Sequence, residues 1–196
     1  EYNKISDFRE IIAIDLTTKC NYRCTFCILS DDKLPNNDMP IERFKNIVDQ
    51  IKDEGSVNAI YLHFFGEPYL YPHIIEAIQY VKAQGMVSSL ATNGSLFNRN
   101  LDRVIENPPS HMTISIQDRI CKEHYDQTVG ASGHYDKYMK EIRYFIKRRI
   151  ENGISEQSKI DIELAVNLHD HFINRILGLP RGDLSVRTKL KDLFIP

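Results

Sequence analysis

Strand-like and helix-like segments alternate five or six times along this chain, which predicts an α/β fold on a parallel sheet. The strands narrow the choice, because polar residues recur at every second position. Ile160, Ile162, Leu164 and Val166 alternate with Asp161, Glu163 and Ala165, and Ile114 and Ile116 alternate with Thr113, Ser115 and Gln117. Asp15 and His63 interrupt the first two strands in the same way. An open sheet with helices on both faces needs apolar residues on both sides. A barrel wall tolerates polar side chains around a lumen, so the expected architecture is an incomplete parallel (βα)6-type barrel.

Each element follows from a local pattern. Residues 11–16, Ile-Ile-Ala-Ile-Asp-Leu, read as a short buried strand rich in β-branched side chains. Residues 40–54 carry Ile41, Phe44, Ile47, Val48 and Ile51 at helical spacing, with Asp38 and Pro40 to start the helix and Gly55 to stop it. Residues 59–64 form the second strand. Residues 72–84 form the second helix, on Ile74, Ile75, Ile78 and Val81, with Gly85 beyond its end. The unit repeats as a strand at 86–91 and a helix at 98–106, and Pro108-Pro109 precede a strand at 112–116. A loop through Gly130-Ala131-Ser132-Gly133 leads to a helix at 135–149, whose buried face is Tyr138, Ile142, Phe145 and Ile146. A fifth strand at 160–166, a short helix near 171–177 and a sixth strand at 184–187 complete the series. No linker divides the chain, so 1–196 reads as one domain with repeats over about 11–187.

Composition excludes several classes. Of the 196 residues, 42% are hydrophobic and 27% charged, the balance of an ordinary globular domain. No apolar run approaches the ~20 residues that span a bilayer. The net charge is −2, from 25 basic and 27 acidic residues, which gives no electrostatic argument for nucleic acid. Lys147-Arg148-Arg149 read as a solvated helix end, where cations suit the dipole.

The four cysteines are clustered. Cys20, Cys24 and Cys27 lie in the loop after the first strand, in Cys20-Asn21-Tyr22-Arg23-Cys24-Thr25-Phe26-Cys27, and Cys121 stands apart. Such spacing, with no secretory signal in residues 1–10, points to metal or redox chemistry in a reducing, cytoplasmic compartment rather than to disulfides. Soft thiolates suit zinc or iron–sulfur centres. Two readings stay open here: a zinc site closed by Cys121 or a distant histidine, or a cluster held by three thiolates that leaves one position for a ligand.

Cys-x3-Cys-x2-Cys with an aromatic before the last cysteine, directly after a first strand, resembles the radical S-adenosylmethionine (radical SAM) enzymes, whose core is a partial TIM barrel. The resemblance implies that Cys20, Cys24 and Cys27 bind three irons of a [4Fe–4S] cluster and that SAM chelates the fourth. It further implies reductive SAM cleavage to a 5′-deoxyadenosyl radical, which takes a hydrogen atom from the substrate. Later strand ends repeat the likeness. Phe65-Gly66-Glu67-Pro68 is similar to the family's Gly-Gly-Glu-Pro segment, which holds the SAM amino group, with Phe65 in place of the first glycine. Gly66 is expected to let the backbone approach the ligand.

Thr92-Asn93-Gly94 resembles the family's Thr-Asn-Gly. Ser115-Ile116-Gln117-Asp118 resembles Ser-hydrophobic-Asp-Gly, with Ser115 matching and Gln117-Asp118 departing. Phe26 is expected near the adenine, and Asn167 near the ribose. Residues 123–135 are similar to a stretch in members with a SPASM or Twitch extension, whose auxiliary clusters need further cysteines. The resemblance therefore implies one cluster here, or an extension beyond Pro196. It also implies a reductase or a flavodoxin- or ferredoxin-type electron donor, and a preference for a peptide or protein substrate.

Three features remain. His63 and Tyr61 are candidates to face the lumen and touch substrate. His169-Asp170-His171 reads as a solvated helix start, and Cys121 as an inert thiol. The alternative to an enzyme is a non-catalytic zinc- or iron–sulfur-binding regulatory domain on the same fold.

Overall fold

The structure, a computed structural model, describes residues 11–25, 27–31, 35–117, 126, 129, 134–154 and 158–165. Five strands, β1 (Ile11–Ala13), β2 (Ala59–Tyr61), β3 (Val87–Thr92), β4 (His111–Gln117) and β5 (Lys159–Ala165), form one sheet in the order β1-β2-β3-β4-β5. Every neighbouring pair is parallel. Helices α1 (Ile41–Glu54), α2 (Ile74–Ala83), α3 (Phe97–Glu106) and α4 (Tyr135–Glu151) lie between the strands in sequence. Consecutive order without a reversal is the winding of a barrel, since an open doubly wound sheet reverses its strand order at a switch point. The partial-barrel expectation is met. The expected helix near 171–177, the strand at 184–187 and the His169-Asp170-His171 run lie outside the described residues, as do Phe26, Cys121 and Asn167.

The two faces of the sheet differ as a barrel wall requires. Ile60, Leu62, Leu90, Met112, Ile114 and Ile116 are buried against the helices. Tyr61, His63, Ser89, Thr113 and Ser115, on the other parity, are half-buried. Register sets Tyr61 beside Ser89 and Ser89 beside His111, so the inner face carries a continuous polar row. Behind the sheet, Phe97 of α3 stacks on Phe145 of α4 with ring centroids 3.9 Å apart. Tyr69 meets Phe97 edge-on.

Two strands are shorter than their sequence patterns. β1 pairs through Ala13, and Ile14 N–H still donates to the Tyr61 carbonyl at 2.8 Å. Asp15 then replaces the ladder with its side chain, accepting from the Phe64 and Phe65 amides at 2.8 and 2.7 Å. This ends β2 early and turns its last residues into a loop. β1 is also not the buried strand its composition suggests: Ile11 is 58% and Ile12 36% exposed. It pairs with β2 on one side only among the described residues, and burial of a strand comes from neighbours rather than from its own hydrophobicity.

Candidate active site

The chemistry-bearing loops meet at the C-terminal ends of β1, β2 and β3, where (βα) barrels carry their sites. The cysteine loop is anchored at its base. Thr17 Oγ1 donates to Asp38 Oδ1 at 2.7 Å, and Lys19 Nζ lies 2.6 Å from Asp38 Oδ2. Met39 N–H donates to the Leu16 carbonyl at 2.8 Å. Asp38, expected as a helix start, thus ties the segment before α1 to the loop that carries the thiols.

Within the loop all three cysteines are free thiols. The Cys27 amide donates to the Cys24 carbonyl at 2.9 Å, a turn that folds the last two towards each other. The Tyr22 amide lies 3.4 Å from Cys20 Sγ, and Arg23 Nη1 donates to the Cys20 carbonyl at 2.9 Å. Burial pushes the Cys24 thiol up to about 12, and the neighbouring Cys20 and Cys27 push the same way. Burial also raises Cys20, with Glu67 and Cys27 adding to it against the Tyr22 amide. Cys20 and Cys24, which burial makes costly to ionise, share the loop with Cys27 in a donor set whose ionised form a cationic centre stabilises. Among the described residues no group of three His, Cys, Asp or Glu side chains forms a site for a single ion. An iron–sulfur cluster places a different demand on the loop, one thiolate per iron. The donor set fits it.

The glycine of the second loop also makes a close approach within the protein. Gly66 has φ +72°, and a Cβ there would sit 2.4 Å from the Thr17 carbonyl oxygen and 2.8 Å from that of Lys19. The close approach is therefore between two loops of the protein, and the Glu67 amide seals it by donating to the Lys19 carbonyl at 2.7 Å.

Glu67 is held by three donors of the protein. Its carboxylate is 1% exposed and accepts from Thr92 Oγ1 at 2.7 Å, the Asn93 amide at 2.8 Å and the Tyr69 amide at 3.2 Å. Burial raises it to about 7, against the pull of those three donors. The Thr92 hydroxyl is equally engaged, since it also accepts from the Gly94 amide at 3.0 Å. Both side chains, expected at the cofactor, also join the loop after β2 to the end of β3.

Asn93 completes the junction. Its side chain donates to Asn21 Oδ1 at 3.1 Å, and its carbonyl accepts from Tyr138 Oη at 2.9 Å. Asn21 donates in turn to Ser95 Oγ at 2.8 Å. Asp15, Asn21 and Tyr138 were not singled out as site residues from the sequence. The one signal there was position, with Asp15 at a strand end and Asn21 inside the cysteine motif.

The inner-face candidates lie where their parity sets them. His63 is half-buried, with Nε2 3.1 Å from the Gly66 carbonyl, and its ring meets Tyr61 edge-on. A carbonyl only accepts, so Nε2 carries the proton and Nδ1 keeps its lone pair. Nδ1 is buried without a hydrogen-bond partner. Burial lowers the basicity of His63, so the ring stays neutral. Ser115 lies on the same inner face of β4, half-buried, and Gln117 is the last residue of that strand.

Comparison with known proteins adds four findings. The family model described as the radical SAM superfamily matches residues 14–160. The S-adenosylmethionine-dependent nucleotide dehydratase of Selenomonas ruminantium is 37% identical over 86 residues, 43% of this chain and 30% of that protein. The antilisterial bacteriocin subtilosin biosynthesis protein AlbA of Bacillus subtilis (strain 168) is 25% identical over 130 residues, 66% of this chain and 29% of its own. Among solved structures, Streptococcus suis SuiB bound to precursor peptide SuiA shares the fold with a TM-score of 0.61 at 20% identity, over 85% of this chain and 35% of that one. The chain thus spans about a third of the length of these relatives.

Proposed function

The chain belongs to the radical SAM superfamily, whose cofactors are a [4Fe–4S] cluster and SAM, and we propose that it abstracts a hydrogen atom from a carbon of a peptide or protein substrate. The observation that carries this reading is the junction at Gly66, where the loop after β2 packs on the carbonyls of Thr17 and Lys19 directly before Cys20. It brings the SAM-type segment and the cysteine segment into backbone contact, as one shared cofactor site requires. When bound, the cluster supplies the electron that cleaves SAM to methionine and a 5′-deoxyadenosyl radical.

The chain's own residues hold and orient. Cys20, Cys24 and Cys27 are the iron ligands, and the SAM amino group goes to the backbone oxygens beside Gly66. Glu67 and Thr92 act behind that backbone by fixing its position. Asn93, Ser115, Gln117 and Asn167 are the candidates for the rest of SAM, with Phe26 against the adenine. Tyr61 and His63 line the substrate side of the lumen. The neutral His63 offers Nδ1 as an acceptor for an amide N–H or a hydroxyl.

One relative and one structural neighbour support the peptide preference: the first acts in bacteriocin biosynthesis and the second was solved bound to a precursor peptide. A reductase or a flavodoxin- or ferredoxin-type protein is the electron source, and free thiols suit a reducing cytoplasm. No helix among the described residues is long and apolar enough to cross a membrane.

Isotope transfer tests the substrate class. The reconstituted protein, SAM and reductant are incubated with perdeuterated peptides and, separately, with deuterated nucleotides. Deuterium arriving in 5′-deoxyadenosine from the peptides supports the proposal. Deuterium arriving from the nucleotides alone overturns it.

A further inference from the structure

Outside the site already described, α3 and α4 line a groove of about 280 Å³ with Phe97, Asn98, Leu101, Lys137, Lys140, Glu141 and Tyr144. Its chemistry follows from the periodicity of α4. Tyr138, Ile142 and Phe145 are buried against the sheet and α3. That leaves Lys137, Lys140, Tyr144 and Lys147 at three- and four-residue spacing on the outer face. Tyr144 is 50% exposed and gives the groove an apolar wall facing Leu101.

The cations outnumber what their neighbours neutralise. Along α4, setting aside the buried Arg149, the basic residues Lys137, Lys140, Arg143, Lys147 and Arg148 stand against Asp136, Glu141 and Glu151, five charges against three. Glu141 lies 3.9 Å from Lys137, and Glu151 is shared by Lys147 at 3.8 Å and Arg148 at 3.4 Å. Lys140 and Arg143 have no ion pair among the described residues. In a chain of net charge −2 this is a local positive field around an apolar cleft. That is the composition of a docking patch for an acidic partner.

The patch is also joined to the cysteine loop. Tyr138, beside Lys137 on the first turn of α4, donates to the Asn93 carbonyl at 2.9 Å, and Asn93 donates to Asn21 at 3.1 Å. Asn21 is the residue after Cys20. Arg23 in the same loop donates to the Cys20 carbonyl at 2.9 Å.

We propose that the α3–α4 groove docks an acidic one-electron donor protein, with its carboxylates on Lys137, Lys140 and Arg143 and its apolar edge on Leu101 and Tyr144. The partner's reduced flavin or iron–sulfur centre loses one electron, the chain's cluster gains it, and no proton or bond is exchanged. The proposal rests on the radical SAM reading, and its test separates the two.

The variant Lys137→Glu/Lys140→Glu is compared with wild type and with a remote control, Lys52→Glu on α1. Binding of a flavodoxin of net negative charge is titrated at low and high salt, on metal-free and on reconstituted protein. Formation of 5′-deoxyadenosine is then driven either by reduced flavodoxin or by dithionite, a small reductant that needs no docking surface. The expected result is binding weakened about 10-fold or more in the double variant, with a shallower salt dependence. Flavodoxin-driven product should fall in step, while dithionite-driven product stays at the wild-type level and Lys52→Glu matches wild type throughout. A double variant that binds and accepts electrons like wild type overturns the proposal, as does an equal loss in Lys52→Glu. Wild type that makes no 5′-deoxyadenosine with dithionite contradicts the radical SAM reading, and the binding titration still decides the surface.

Discussion

Two constraints coincide at Gly66: a backbone φ of +72° and carbonyl oxygens of Thr17 and Lys19 too near for any Cβ. Backbone cannot swing aside as a flexible side chain can, so Gly66→Ala must part the loops after β1 and β2. We expect a loss of about 1–3 kcal/mol in stability from the strained conformation and a several-fold loss of bound iron. Gly55→Ala is the matched control, since Gly55 has φ +80° but nothing within 4 Å of its Cβ position. It should cost about 1 kcal/mol and leave iron binding intact. Thermal melts with iron assays on both variants check this.

Glu67 makes a prediction in pH. Its folded carboxyl is raised to about 7 by burial, above its ordinary 4.5. The folded chain therefore binds more protons than the unfolded chain between those values, so stability falls as pH rises through that window and levels off above it. The drop is about 3 kcal/mol at most on this reckoning. Glu67→Gln lacks that titration, and the slope of stability against pH between 5 and 7 should flatten in the metal-free variant. An unchanged slope contradicts the placement of the carboxyl.

The Phe97–Phe145 stack, with centroids 3.9 Å apart, is the main aromatic contact holding α3 to α4. Both rings are buried, at 1% and 0% exposure. Phe145→Ala should destabilise the chain by about 3–5 kcal/mol, read from denaturant unfolding. This contact was half legible in advance: helical spacing marked Phe145 as buried, but Phe97 fell one residue before the expected helix at 98–106. Elements whose pattern repeats every three or four residues, such as α1 and α4, were legible to within two residues at either end. β1 and β2 were not, because Asp15 ends the ladder by accepting from Phe64 and Phe65, about fifty positions away. Glu67 turning inward to Thr92 and Asn93, 25 and 26 residues on, was hidden for the same reason. A sequence pattern carries local periodicity, and these are contacts of tertiary structure.

At the scale of the molecule, the strand order β1-β2-β3-β4-β5 lets three successive loops converge at one end of the sheet. Polar parity on the strands was enough to favour this winding over an open sheet, and the half-buried Tyr61, His63, Ser89, Thr113 and Ser115 bear it out. The loop junction is joined by Glu67 to Thr92, Asn93 to Asn21 and Gly66 to Thr17, so the cysteine segment is braced from two neighbouring strands. Preorganisation of this kind is what a barrel scaffold contributes to cofactor chemistry. The central claim is that the three thiols so braced hold an iron–sulfur cluster that cleaves SAM. Anaerobic reconstitution with iron and sulfide, followed by dithionite, SAM and an assay for 5′-deoxyadenosine, tests it most directly. The account predicts a brown protein with about four irons on this loop that forms 5′-deoxyadenosine, and loss of both iron and product in Cys24→Ala. A colourless chain that binds one zinc and forms no 5′-deoxyadenosine would contradict it.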